Sequence, residues 1–361
     1  MNFSSPVFKY VLYAMMLAGI LAVWLSTAAT ANAGSLMHPQ NGECRSCHSS
    51  RTHPLVDKKV SAECVSCHTG NTPGGGLIKV GEMSEEFSKQ LQAQIGDGKD
   101  TGMSVPMYYD GTRIGDEPNE MVLIPAGKFI MGTNERMPDE GPQHTVYLDA
   151  FYIDKYEVTN LQYKKFIDAT KHRSPKNFTN RTFPEGKADH PVTYVNWYDA
   201  TDYCSWAGKR LPTDQEWEKA ARGTEGRVYP WGDTFDIRKA NMPQRWITLK
   251  QEGDTTPVGA FEGGVSVYGL YDMSGNVWEW TSSWYLPYPG NTRITENYGE
   301  KYKTLKGGSW WDCSFYRCGL SAPTYNRSFF MRTTKNKSFG FRCAKDAPKT
   351  APDSGDARKK I

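Results

Sequence analysis

Apolar residues fall along this chain in three regimes. From Val11 to Leu25 they form an uncharged run, VLYAMMLAGILAVWL, with Lys9 ahead of it and small residues ending in Ala31-Asn32-Ala33 behind it. A basic start, an apolar middle and an A-x-A close are the three parts of a secretory signal, and cleavage after Ala33 is expected. The run is about 15 residues, short of the ~20 that cross a bilayer, and an uncleaved membrane anchor is the alternative. From Gly34 to Gly70 aliphatic residues become scarce, so this segment cannot bury a core unaided. From Glu120 to about Ala344 an aromatic sequence punctuated by glycine runs unbroken.

Between the second and third regimes lies a segment, residues 71–119, that reads as a linker with one short helix. It follows a glycine-rich joint (Gly70 to Gly76); Ser84 caps the helix, and Phe87, Leu91 and Ile95 share one face before Gly96. Inside the large segment Thr159-Asn160-Leu161-Gln162 and Thr213-Asp214-Gln215-Glu216 both have the capping-box spacing and start helices. A third helix is expected from Trp197 to Ala207, after Asn196 and before Gly208. Short strands are expected at Val122 to Ile124, Lys128 to Met131 and Thr145 to Leu148. Loops rich in Trp, Gly and Asn fill the rest, which makes the fold class α+β with high loop content. The tail, Lys345 to Ile361, is polar and without aromatic residues, and disorder is expected there.

Composition narrows the function classes. The chain has 361 residues, 11 Trp and 20 Tyr, enough to fill a large core. Basic and acidic residues number 43 and 40, for a net charge of +3. That balance argues against nucleic acid as a partner, which calls for a concentrated basic face. The eight cysteines divide in two groups, four from Cys44 to Cys67 and four from Cys204 to Cys343.

The first group carries the sharpest chemistry. Cys44-Arg45-Ser46-Cys47-His48 and Cys64-Val65-Ser66-Cys67-His68 each read C-x-x-C-H, the attachment signature of c-type haem. Two thiols add to the haem vinyl groups, and the adjoining His meets the iron from one face. A disulfide cluster has no use for that His, and a Cys₄ zinc site leaves both histidines unexplained. The segment also holds His38 and His53, two further histidines for two irons, and no Met follows His68 until Met83. Bis-His ligation by His48 and His68 with His38 and His53 is therefore the economical assignment. It yields six-coordinate irons suited to electron transfer, at a lower potential than a Met ligand gives. In this stretch the sequence resembles small multihaem cytochromes c.

Further along, several stretches resemble the formylglycine-generating (sulfatase-modifying factor) enzyme family. They are MVLIPAGKFIMG (121–132), YEVTN (156–160), WAGKRLPTDQEWE (206–218), GLYDMSGNVWEW (269–280), KGGSW (306–310) and GFRC (340–343). They occur in the family's order and span about Glu120 to Ala344. The resemblance implies a loop-rich relative of the C-type lectin fold, and it implies three sites. The cysteines matching the family's structural disulfide are Cys204 and Cys343, and closing so long a loop stabilises by roughly 4–5 kcal/mol in the loop-entropy model. A calcium site falls on Asp272 and Glu279 through side chains and on Gly275 and Val277 through backbone oxygens, with a capped tight turn as the alternative. A second calcium position maps onto Asn241 and Met242, with Glu252 or Asp254 as candidate acidic member.

The third site decides between functions. The family's catalytic pair is two cysteines five residues apart, downstream of Gly-Gly-Ser, holding Cu(I) for oxygen activation. Here Gly307-Gly308-Ser309 precedes Cys313 and Cys318, also five apart. The surroundings depart from the pattern. A third cysteine is missing, Ala221 stands where its disulfide partner is expected, and the accompanying His and Tyr lack counterparts at matching offsets. Cys313 and Cys318 remain candidates for a disulfide, for a copper site or for independent thiols. The reading that follows is an exported, periplasmic electron-transfer protein with two haem c groups and calcium, its large domain a docking or recognition module. The alternative is an oxidoreductase whose haems feed electrons to copper and O2 at Cys313 and Cys318. Expected partners are redox proteins and, under the alternative, a peptide or protein substrate.

Overall fold

Three helices begin where side chains supply the hydrogen bonds that a helix start otherwise lacks. Helix α1 (Asn160–Thr170) and helix α3 (Asp214–Arg222) open with reciprocal capping boxes. Thr159 Oγ1 accepts from Gln162 N while Thr159 N donates to Gln162 Oε1, and Thr213 and Glu216 repeat the exchange. Helix α2 (Trp197–Trp206) has a third such box, formed by Asn196 and Asp199. The computed structural model describes residues 112–249, 251–311 and 322–348. The signal segment, the haem motifs, the Ser84–Ile95 helix, Cys313 and Cys318, and residues 349–361 of the tail lie outside the described residues.

The strands are short and form three sheets. Strand β1 (Met121–Ile124) and strand β9 (Ala344–Asp346) flank β4 (Phe151–Asp154), both antiparallel to it. Strands β2 (Gly127–Met131) and β3 (His144–Leu148) form a hairpin. The third sheet has the order β7–β6–β5–β8, built from β5 (Trp278–Trp284), β6 (Lys303–Lys306), β7 (Ser328–Phe330) and β8 (Phe339–Gly340). In it β5 and β8 run parallel and the other pairs antiparallel. A short helix, α4 (Pro243–Leu249), completes the regular elements. Most of the remaining described residues form loops, so the domain is mixed α and β with few helices.

The main core packs α1 and α2 against β5 and β8. Tyr163, Phe166, Tyr203, Trp278, Trp280, Phe339 and Phe341 are all essentially inaccessible there. A second core sets Trp217, Ala220 and Ala221 of α3 against Ile124, Phe151, Ile153 and Ala344 of the β1–β4–β9 sheet. Cys204 of α2 and Cys343, which leads into β9, are joined by a disulfide at the edge of the main core. Asp154 adds a second tie: Lys209 Nζ and Cys343 N donate to its two oxygens at 2.5 and 2.9 Å.

Both boundaries expected from sequence shift outwards. Residues 112–119, expected as linker, pack on the domain. Asn119 is buried, with its amide donating to the Tyr156 and Glu157 carbonyls, and Gln162 Nε2 donates to Glu117 O and Asn119 Oδ1. At the other end Lys345 and Asp346 continue β9 opposite Tyr152 and Phe151. Backbone pairing with β4 outweighs the polar composition of the tail there. No helix among the described residues is long and apolar enough to cross a membrane.

Candidate functional site

The loop before β5 is shaped by its backbone. Asp272 and Asn276 adopt left-handed φ values of 58° and 56°, and Gly275 adopts 86°. A Cβ at Gly275 would lie 2.2 Å from the Asn241 carbonyl oxygen, so only glycine fits this approach. Gly275 N donates to Gly307 O at 2.8 Å, and Asn276 N donates to Asn241 O at 2.7 Å. The loop thereby gathers Asp272–Glu279, the Asn241–Met242 pair and Gly307-Gly308-Ser309 into one place.

Asn276 is the hub of that gathering. Its Oδ1 accepts from Asn241 Nδ2 and Thr256 N, each at 3.0 Å, and its Nδ2 donates to Glu157 Oε2 at 2.6 Å. Its carbonyl accepts from Trp310 N at 3.0 Å, next to the glycine pair. Val277 N donates to the other Glu157 oxygen at 3.1 Å.

Three buried carboxylates meet one guanidinium beneath this loop. Arg342 Nε and Nη2 donate to the two oxygens of Glu279 at 2.7 and 2.8 Å, and Trp217 Nε1 adds a bond of 2.8 Å. Burial pushes the Asp272 carboxyl up from 3.8 to about 6, even though Gly259 N donates to it and Arg342 lies near. Burial, then the charges of Asp272 and Glu279, push the Glu157 carboxyl well above its ordinary value. Arg342 is held the other way, its charge favoured by Glu279, Glu157 and Asp272 against burial. Three acids against one base leave an excess of buried negative charge. Hard oxygen donors with such an excess fit a calcium ion. Among the described residues no three His, Cys, Asp or Glu side chains converge as metal ligands. A set of two carboxylates and two carbonyls would not meet that count.

The second calcium position looks different. Asn241 uses both side-chain ends: Oδ1 accepts from Trp246 Nε1 at 2.8 Å, and Nδ2 donates to Asp254 O and Asn276 Oδ1. Met242 is buried in a small apolar cluster with Tyr229, Phe235 and Ile237. Asp254 is ion-paired with Lys187, and Glu252 is exposed. Ser309 and Trp310 are buried at the entry to the Cys313–Cys318 segment. Ala221 is fully buried in the second core, so no thiol stands at that point of α3.

Sequence reasoning missed Asn276, Glu157 and Arg342. All three lie within stretches already quoted, SGNVWEW, YEVTN and GFRC. The signal was available as polar residues inside strongly apolar motifs, positions where burial demands a partner.

The arrangement of three small sheets, few helices and long tied loops defines a domain consistent with the C-type-lectin-like class. Residues 111–347 match the family model of the sulfatase-modifying factor enzyme 1-like domain, and the chain belongs to that family. It is 34% identical over 289 residues to the formylglycine-generating enzyme of Bos taurus, covering 63% of this chain and 75% of that one. It is 32% identical over 286 residues to the inactive C-alpha-formylglycine-generating enzyme 2 of Mus musculus, covering 64% and 88%. Among solved structures, PvdO from Pseudomonas aeruginosa aligns with a TM-score of 0.51 at 25% identity, over 66% of this chain and 99% of that one.

Proposed function

We propose that this protein is an exported, periplasmic dihaem c-type cytochrome that passes electrons between redox partner proteins. In this reading its sulfatase-modifying-factor-like domain serves as docking or recognition module. The observation that carries the reading is the doubled C-x-x-C-H, Cys44–His48 and Cys64–His68, with His38 and His53 in the same segment. The other three histidines have partners inside the domain: His144 with Pro142 O, His172 with Asp199 and His190 with Thr255. That leaves His38 and His53 as the spare imidazoles for the two irons. A pyridine haemochrome assay on the whole chain should give two covalent haems per polypeptide. Absence of haem from protein matured in a host competent for c-type cytochromes refutes the proposal.

The large domain would hold calcium at Asp272, Gly275, Val277 and Glu279, where the ion offsets the buried acid excess and fixes the loop. The supporting observation is that excess itself; no comparable excess supports Asn241 and Met242.

A second reading has its own support, the membership in a family that includes formylglycine-generating enzymes. There the haems feed electrons to copper and O2 chemistry, with Cys313 and Cys318 as thiolate ligands for Cu(I). Ala221 and the lack of a third cysteine weigh against it, as does a relative whose printed name marks it as inactive. Fold alone does not choose between them. Copper analysis of haem-loaded protein and of its Cys313→Ser and Cys318→Ser variants does. Stoichiometric copper, lost in both variants, establishes the second reading over the first.

A further inference from the structure

Four arginines are fully buried among the described residues, and three of them face a carboxylate. Arg342 meets Glu279, Arg222 meets Glu218 at 2.9 Å, and Arg327 meets Asp214 at 3.1 Å. The fourth, Arg245 on α4, is 2% exposed, and its Nε and Nη1 have no hydrogen-bond partner. Its guanidinium carbon lies 5.8 Å from the Trp246 ring centroid and 5.2 Å from that of Phe261. Aromatic faces attract a cation but offer no lone pair to its in-plane N–H groups.

The neighbourhood repeats the pattern. Gln244 is 2% exposed, and neither its Nε2 nor its Oε1 has a partner. Trp310 Nε1 is a further buried donor without an acceptor. Trp310 and Trp246 close on the same glycine: a Cβ at Gly253 would meet Trp246 Cδ1 at 2.8 Å and Trp310 Cε3 at 2.9 Å. The nearby acids point elsewhere. Asp254 pairs with Lys187, and Glu252 and Asp254 act on Lys337, which sits over Trp310 and Trp311.

We propose that the buried surface around Arg245 and Gln244 is an oxyanion-binding site, taking a carboxylate or a phosphate. A buried charge without a counter-ion is costly, and buried amide and indole groups without partners add to that cost. An oxyanion supplies in-plane acceptors for Nε and Nη1 together with the missing charge, and a protonated ligand oxygen suits Gln244 Oε1. Burial pushes the Arg245 guanidinium down to about 10, in keeping with an unmet demand for negative charge. The site adjoins the Asp272–Glu279 loop through Trp310 N, which donates to Asn276 O, and it is independent of the haem reading.

The test is thermal unfolding of the whole haem-loaded chain, followed by circular dichroism in sodium acetate, sodium phosphate and sodium chloride at matched ionic strength. Acetate or phosphate should raise the midpoint saturably relative to chloride, by roughly 3–6 °C at ten times the half-saturating concentration for a domain of this size. Which of the two acts distinguishes carboxylate from phosphate. Arg245→Met should fold, be at least as stable as the parent without ligand, and lose the response; Gln244→Leu should weaken it several-fold. Equal shifts in chloride, or a full response in Arg245→Met, overturn the proposal.

Discussion

Replacing Arg342 by Met removes the one cation beneath the Asp272–Glu279 loop while keeping the length of the side chain. Arg342 is inaccessible, holds both oxygens of Glu279, and also donates to the carbonyls of Asp154, Lys155 and Tyr271. Removing one partner of a buried ion pair costs about 3–5 kcal/mol, because the remaining charge stays desolvated. The upper end is expected here. The Asp154 and Tyr271 carbonyls each lose a donor, Lys155 O keeps that of Tyr271 N, and Glu157 and Asp272 lose the charge that offsets them. For a domain of more than 200 residues, each kcal/mol moves the unfolding midpoint by about 2–4 °C, so a fall of roughly 10–15 °C is expected. Denaturant titration and calorimetry of Arg342→Met, Glu279→Gln and the double variant measure it, the cycle isolating the pair. The double variant should be less damaged than the sum of the singles. A loss under about 1 kcal/mol in Arg342→Met, or simple additivity, refutes the claim that this guanidinium holds the loop's charges together.

Gly275→Ala should destabilise by several kcal/mol, since its Cβ would overlap the Asn241 carbonyl at an unfavourable φ; a change under 1 kcal/mol in denaturant titration counts against that close approach. Cys204→Ser should cost roughly 4–5 kcal/mol in the loop-entropy model, given a separation of 139 residues, and peptide mapping of the parent without reductant should recover the Cys204–Cys343 link. Burial raises the carboxyls of Asp154 and Asp272 to about 6 and of Glu140 to about 7. The folded state then binds these protons more tightly than the unfolded one, so their contribution to stability falls as pH rises from about 4 to 7. Unfolding at pH 4.5 and 7.5 without divalent ions should show that slope, Asp272→Asn should flatten it, and calcium should stabilise more at 7.5; a calcium effect that is larger at 4.5 sinks the assignment.

The helices were legible because their starts are local. Thr159–Gln162 and Thr213–Glu216 each fix a helix within four residues, and no distant contact is needed to see them. Strands β2 and β3 were legible as short runs with apolar positions, whereas their pairing across residues 132–143 was not. Strands β4 to β9 were not read as strands. Trp278–Trp284 alternates tryptophans with Glu279 and Thr281, polar residues that are nonetheless buried, and β8 is two residues long; its place beside β5 depends on pairing across some 60 residues of chain. The site shows the same division. Asp272 and Glu279 stand out in a motif, whereas Glu157 joins them only because the fold brings 119 positions of sequence separation to a 2.6 Å contact with Asn276.

The buried charges of the large domain bear on what that domain is for. Glu218 accepts from Gly132 N, Arg222 and Lys306, and the Lys306 ammonium also faces Asp214, which in turn meets Arg327. These groups link β2, α3, β6 and the start of β7. Opposing charges hold Glu218 below the usual carboxylate range in spite of its burial. An acid kept ionised in this way has little tendency to accept a proton and makes a poor general base near neutral pH. The Glu279–Arg342 pair joins β5 to the segment leading into β9 in the same manner. The strongest polar contacts in the domain thus stand between structural elements, where they fix register and loop position. Under the proposed function the groups that change state are the paired C-x-x-C-H motifs, and Cys313 and Cys318 join them only under the copper alternative. In that proposal, the Glu218–Lys306 and Glu279–Arg342 pairs would make the domain a platform for docking a redox partner, because they hold its loops in shape while electrons move elsewhere.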